Sequence, residues 1–463
     1  MSSVSTLPIP PELVHQIIRH ITVSSDCPSC LQADLSSLTA SSRVLKAIAT
    51  PYLYSSITLS SHHGDSASYS RRMRALQRTL FTTNYGRHVI NLQLSPFDET
   101  TVSLWASITK STPNLHTLYG VENFFCQDSD VESSLSDEDG DSDSAALSAL
   151  IGLSQLRTAV LHDEILPIPL EYLLSNWKNA HILVLGAIVA EGSRFSALPA
   201  AVSATAVKEL YFHDFELEYE EKTERDDALA SLPPLEVLGI NDTFGFTLSG
   251  LSRFLQQSPA HAQRLQKLEF TRQQRRANPL FDMISVLSSA TSLKSVDISL
   301  KAFSTDPVCS FPEEVLASNS LEELSYRTIH ASSGVSSSAE SDFERLAINS
   351  LSSNTLLPKL RKLTVACKPH ADEEQQQQEA WATLRKECTR EGGVLTQDPA
   401  ELGKNGKRVL LVVEEDVALP TVAMDRVLEM KRGAEGAVVC AVADAEEVNE
   451  QVEGKECGDS DGL

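Results

Sequence analysis

Long apolar runs are missing from this sequence. No stretch approaches the roughly 18 consecutive apolar residues of a membrane-spanning helix. The opening MSSVSTLPIP has neither the charged nor the apolar region of a secretory leader. A disulfide framework is missing too. The eight cysteines, at 27, 30, 126, 309, 367, 388, 440 and 457, are scattered over 463 residues, unlike the dense spacing of a small secreted scaffold. These absences lead us to expect a cytoplasmic and/or nuclear protein with no membrane partner. Positive charge is also scarce: 39 Lys and Arg face 63 Asp and Glu, for a formal net charge of −24. Sequence-independent nucleic-acid binding needs a basic footprint, so nucleic acid is not an expected partner. The acidity is local. Asp128–Asp143 holds eight acids and no base, and the tail from Glu414 holds fourteen acids and four bases. Together these two segments carry 18 of the 24 net negatives.

Signatures of bond chemistry are absent as well. Gly-x-Ser-x-Gly does not occur, and Gly392-Gly393 is a helix stop rather than a phosphate loop. His162-Asp163 and His213-Asp214 each follow a strand pattern directly, where exposed loops begin. Cys27-Pro-Ser-Cys30 has zinc-ligand spacing but no second Cys-x-x-Cys to complete four ligands. We therefore read no catalytic residue, no metal site and no cofactor, and expect no enzyme. Ser134 and Ser136 lie in the acidic run with carboxylates following, which suits acidophilic kinases. The cluster Arg71-Arg72-Met-Arg74 reads as a solvated face, or as a receiver for something acidic.

The N-terminal fifty residues read as short helices. Pro10-Pro11-Glu12 suits a helix start, with proline in the first turn and a carboxylate at the positive end of the dipole. Leu13, Ile17 and Ile21 then share a face that Val14 and Ile18 widen. Asp34 is the expected N-cap of a second helix carrying Leu35 and Leu38. Val44, Leu45 and Ile48 continue the helical spacing until Pro51, and SSITL reads as a strand. A unit of this size is marginal alone and is expected to lean on a partner.

From residue 86 a different pattern begins. A motif L-x-x-L-x-L recurs ten times, with first positions 89, 115, 156, 180, 207, 235, 265, 293, 321 and 360. Seven of the nine gaps lie between 24 and 30 residues, and the acidic run and a Ser-rich stretch, 331–342, fill the two longer ones. That period and alternation mark leucine-rich repeats. Each repeat contributes one short strand of a parallel sheet on the concave face. Helical patterns such as LSGLSRFLQQ, DMISVLSSA and PEEVLASN cover the convex face. The consensus asparagine is mostly missing, so its hydrogen-bond ladder is expected to be absent. A helix carrying Trp381, Leu384 and Cys388 and a strand VLLVVEE are expected to cap the end.

The expected fold class is therefore α/β. Residues 7–58 form a helical module and 59–85 a linker or helix. Residues 86–413 form the repeat solenoid, with an acidic insertion at 127–145. Residues 414–463 form an acidic, disordered tail.

The pattern Ile9-Pro10-x-Glu12-Leu13-Val14-x-x-Ile17, then Asp34-Leu35-x-x-Leu38, Ser42-Arg43 and Pro51-x-x-Tyr54, resembles the F-box motif. With repeats behind it, the chain resembles fungal-type F-box/leucine-rich-repeat proteins. Leu45 stands where that motif has tryptophan. The resemblance implies a substrate-recognition subunit of a Skp–cullin–F-box ubiquitin ligase, with Ile9, Pro10, Leu13, Ile17, Leu35 and Leu38 at or near the adaptor contact. The implied partners are a Skp-type adaptor, a cullin and a protein target. The alternative is a repeat scaffold for protein–protein interaction in which the helical module only caps the array.

Overall fold

In the computed structural model, every one of the ten L-x-x-L-x-L motifs becomes a strand, and each strand opens on the third residue of its motif. The structure describes residues 9–24, 28–59, 66–94, 99–121, 140–162, 165–166, 169–186, 189–190, 197–213, 231–241, 248–274, 279–302, 316–330, 350, 356–367, 394–396 and 408–415. The chain divides into two compact units, with the division falling at residues 167–181. The fold is α/β: a small N-terminal helical module followed by irregular leucine-rich repeats.

Unit 1 begins with the helical module, α1 (Pro11–Ser24), α2 (Pro28–Ser41) and α3 (Arg43–Leu53). Val14, Ile18, Leu31, Leu35, Ile48, Ala49 and Leu53 form its core, with Ile21, Leu38, Val44, Leu45, Tyr52 and Tyr54 packed around them. Two expectations need correction here. Asp34 is not an N-cap. Pro28 already fits a first helical turn, so α2 starts there and Asp34 is an exposed residue within it. Pro51 does not end α3. It falls in the last turn, where its missing N–H removes a single bond, and Tyr54 N–H still reaches the Thr50 carbonyl at 3.0 Å. Ser42 caps the start of α3, its hydroxyl accepting from Leu45 N–H at 3.1 Å.

The repeats of unit 1 follow without a break. β1 (Ser56–Leu59) pairs in parallel with β2 (Asn91–Leu94), β2 with β3 (Thr117–Val121), and β3 with β4 (Thr158–His162). A two-residue strand, β5 (Ile165–Leu166), follows β4. The parallel array thus starts at Ser56, one strand before the first recognised motif. The expected linker or helix at 59–85 contains α4 (Ser66–Thr83), which packs on α5 (Glu99–Lys110). α4 ends where Asn84 adopts a left-handed backbone, φ 58°. α6 (Gly140–Ile151) packs on α5, so the last residues of the acidic insertion open a helix. Residues 122–139, with Ser134 and Ser136, lie outside the described residues.

Unit 2 has the strand order β6-β8-β9-β10-β11-β12-β13-β15-β14. These are β6 (Ile182–Gly186), β8 (Glu209–His213), β9 (Val237–Asn241), β10 (Lys267–Gln274), β11 (Ser295–Ala302), β12 (Glu323–His330), β13 (Lys362–Cys367), β14 (Val394–Thr396) and β15 (Arg408–Glu415), with the short β7 (Val189–Ala190) after β6. All the pairings within unit 2 whose register is resolved are parallel. Motif positions four and six, such as Leu210 and Phe212, Leu268 and Phe270, and Val296 and Ile298, are buried. The patterns LSGLSRFLQQ and DMISVLSSA form the helices Leu248–Gln257 and Pro279–Ser289, which pack on each other. Leu316–Asn319, the described end of PEEVLASN, is not helical. Instead Leu316 N–H donates to the buried Ser350 hydroxyl at 2.7 Å. The expected helix around Trp381 and the tail beyond Glu415 lie outside the described residues.

Two sets of hydrogen bonds couple repeat to repeat. The carbonyl at motif position two accepts both the second and third N–H of the next repeat. Ile90 does this for His116 and Thr117, Lys208 for Glu236 and Val237, and Lys294 for Glu322 and Glu323. Side chains just before the motif reach back about one repeat. Asn114 Nδ2 donates to Arg87 O at 2.7 Å, Asn179 Nδ2 to Ser154 O at 2.9 Å, Ser292 Oγ to Leu265 O at 3.0 Å and Ser320 Oγ to Leu293 O at 2.8 Å. These bonds do the work of an asparagine ladder from a different position. No repeat can satisfy its backbone or bury its apolar face alone, which makes stability depend on the neighbour.

Candidate functional site

Two features stand out, one in each unit. In unit 1, α1 divides its apolar residues between two faces. Val14 and Ile18 point inward, and Ile18 is 1% exposed. Leu13 and Ile17, one turn apart on α1, are 48% and 50% exposed and form an apolar stripe, and Ile9, two residues before the helix, is 43% exposed. The carbonyl of the exposed Pro10 accepts from Leu13 and Val14 N–H at 3.0 and 3.2 Å, which fixes where the helix begins. His15 Nδ1 lies 3.4 Å from the Tyr52 hydroxyl and ties α1 to α3.

The residues tied to adaptor contact do not all lie on that stripe. Leu35 is 1% exposed and belongs to the module's core, because α2 packs on α3 through Leu31 and Leu35. Leu38 is half-buried at the core's margin. The exposed set is Ile9, Pro10, Leu13 and Ile17. Periodicity alone does not separate these from Val14 and Ile18, since both pairs recur at helical spacing.

In unit 2, motif position five and the residue just after the motif lie on the face of the sheet opposite positions four and six. Register aligns Tyr211, Gly239, Glu269, Asp297, Ser325 and Thr364 in one row. A second row runs His213, Asn241, Thr271, Ser299 and Arg327. The Tyr211 ring lies across Gly239. A Cβ there would sit 2.3 Å from Tyr211 Cδ1, so the ring occupies the space a side chain would need. Tyr211 OH donates to Glu209 Oε2 at 3.3 Å, Lys267 pairs with Glu269, and Ser295 Oγ donates to Glu323 Oε2 at 3.4 Å. At the strand entrances, Lys208 and Arg264 flank Glu236 at 3.2 and 3.3 Å. The Lys208 hydrogen bond, with Arg264 adding to it, holds the Glu236 carboxyl below the usual range. These rows were hidden in the sequence because polar residues between leucines look alike until register brings them side by side.

The rows themselves are largely covered: Tyr211, Glu269, Thr364, His213, Asn241, Thr271 and Ser299 are buried, and Asp297 and Ser325 are half-buried. The polar groups that unit 2 exposes lie at the strand entrances, where Lys208, Gln266, Lys294, Glu323 and Arg361 are in water and can meet another polypeptide by hydrogen bonds and charge. Among the described residues no three His, Cys, Asp or Glu side chains converge as metal ligands. Cys27 lies outside the described residues, and Pro28–Cys30 falls within α2. No described helix is long and apolar enough to cross a membrane.

No family model matches the chain, and no curated protein does. Among solved structures, an internalin (inlF) from Listeria monocytogenes str. 4b F2365 aligns over 92% of this chain and 97% of its own, at 12% identity and a TM-score of 0.31. That overlap is too loose to support the fold. The repeat assignment stands on ten motifs that each become a parallel strand in the same frame.

Proposed function

We propose that this chain is a non-catalytic binding protein, with the exposed polar strand entrances of unit 2 holding a protein target and the α1 stripe docking a second protein. The observation that carries the reading is the division of α1. Val14 and Ile18 already supply the contacts the module needs, yet Ile9, Leu13 and Ile17 remain in water. An apolar stripe left exposed beside a complete core is a docking surface in waiting.

The finer form of the proposal identifies the docked protein as a Skp-type adaptor of a cullin ubiquitin ligase. Its support is the motif resemblance, whose first segment supplies Ile9, Pro10, Leu13 and Ile17. In that role the chain does no bond chemistry. It holds a target near a loaded ubiquitin carrier and raises the effective concentration of the reacting groups. The alternative, a scaffold without a ligase, keeps the unit 2 strand entrances and dispenses with the adaptor. Titration of the full chain with a purified Skp-type adaptor separates the two. Binding that is lost in Leu13→Ala/Ile17→Ala locates the adaptor on the stripe. If the wild-type chain fails to bind, the ligase reading falls and the scaffold remains.

A further inference from the structure

α4 presents a second surface, built from charge. Tyr69, Met73, Leu76 and Leu80 face the core of unit 1 and are buried. On the opposite side, at spacings of three and four, stand Arg71, Arg74 and Arg78, all exposed, and Phe81 follows on the same side at 80% exposure. The helix SASYSRRMRALQRTLFTT contains no acid. None of these three guanidinium groups is paired with any described side chain. Arg74 and Arg78 sit four residues apart, where like charges repel, and nothing on the helix offsets that repulsion. The stripe is also anomalous in a chain whose formal charge is −24.

We propose that this face docks an acidic segment of a partner protein, with carboxylates on the three arginines and an apolar side chain against Phe81. Guanidinium forks match carboxylates in a bidentate way that a diffuse field does not require. Arg71 to Arg78 spans about 10 Å along the helix, which about three to four residues of extended peptide cover, so a short run of Asp and Glu reaches all three. The exposed phenylalanine in line with the charges suits a polypeptide better than a bare phosphate chain. A short acidic peptide brings only a few negative charges into the field of a chain with net charge −24, whereas nucleic acid or an anionic membrane brings an extended array of them and meets far more repulsion. This surface is separate from the α1 stripe and stands whether or not an adaptor binds there.

The test uses the full chain and a short fluorescein-labelled peptide of Asp and Glu with one terminal Leu, followed by anisotropy. A parallel sample carries Asp137→Asn, Glu138→Gln and Asp139→Asn, which removes the densest cluster of the chain's own acidic run and weakens its competition. Binding to either protein is expected to weaken about tenfold in Arg74→Glu/Arg78→Glu, to weaken less in Phe81→Ala, and to fall as salt rises. Arg74→Gln/Arg78→Gln, checked by circular dichroism, replaces the reversal if that variant misfolds. The proposal is overturned if neither protein binds the peptide or if binding survives both arginine pairs. It is equally overturned if duplex DNA or phosphatidylserine vesicles bind as tightly with the same dependence on these arginines.

Discussion

The division of α1 can be tested by substituting neighbours that differ only in direction. Ile18→Ala removes a side chain that is 1% exposed and leaves a hole in a small core, at an expected cost of about 3 to 4 kcal/mol. Leu13→Ala/Ile17→Ala removes more apolar mass, but each side chain is half in water. Half of a full burial contribution is about 1 kcal/mol per residue, and alanine's better helix propensity returns about 0.2 to 0.4 kcal/mol of it. The pair should therefore cost about 1 to 1.5 kcal/mol in total. Hydrogen exchange of the α1 backbone, followed by mass spectrometry in the full chain, reads local stability directly. Ile18→Ala should speed exchange over Pro11–Ser24 on the order of a hundredfold or more, and the surface pair by no more than about tenfold. If the surface pair destabilises α1 as much as Ile18→Ala does, Leu13 and Ile17 are structural and the docking argument fails.

Three further outcomes follow from single contacts. Buried Trp177 donates its indole N–H to Leu150 O at 2.9 Å, so Trp177→Phe should lose about 1 to 3 kcal/mol by leaving that carbonyl unpaired, read as a lower urea midpoint. Gly86 is buried, and a Cβ there would lie 1.9 Å from Ser111 O. Gly86→Ala must move backbone, and a melting temperature within error of wild type would contradict the packing. Buried His261, 2.9 Å from Leu232 O and against the Phe254 ring, has its pKa lowered by burial from the ordinary 6.5, although backbone hydrogen bonds oppose this. The unfolded chain therefore takes up the proton first. Its contribution to stability is complete above about pH 6.5 and declines as the pH falls toward the lowered value. His261→Gln should flatten that part of the pH dependence in urea titrations at pH 7 and 5.5.

Much of the fold was legible because repeats write the same physics many times. Ten motifs at a near-constant period leave little freedom in where strands begin, and the structure opens every one on the third motif residue. SSITL reads as a strand from the sequence, but its place as the first strand of the array, β1, was hidden because Tyr54-Ser-Ser-Ile-Thr-Leu59 has tyrosine in place of the first leucine, and a longer connection separates it from the next repeat. Asp34 misled because a good capping residue also tolerates an exposed helical position once Pro28 has started the helix upstream. Pro51 misled because proline breaks a helix only where the helix would otherwise continue.

The candidate surfaces were legible in part. Composition and spacing identified α1 as amphipathic, and they marked the basic cluster near residue 71. They did not separate Leu13 and Ile17 from Val14 and Ile18. A 3.6-residue period defines a broad apolar arc, and only the placement of α3 against α1 decides which half of the arc is covered. The polar rows of unit 2 depend on register between strands some 28 residues apart, a relation that local sequence does not contain. What the chain alone determined was its period, its alternation and the positions of its acids, all local properties carried by neighbouring residues. Tertiary structure decided which apolar stripe stays in water, which arginines find no partner among the described residues and which polar side chains meet in rows, because each depends on what a distant segment covers.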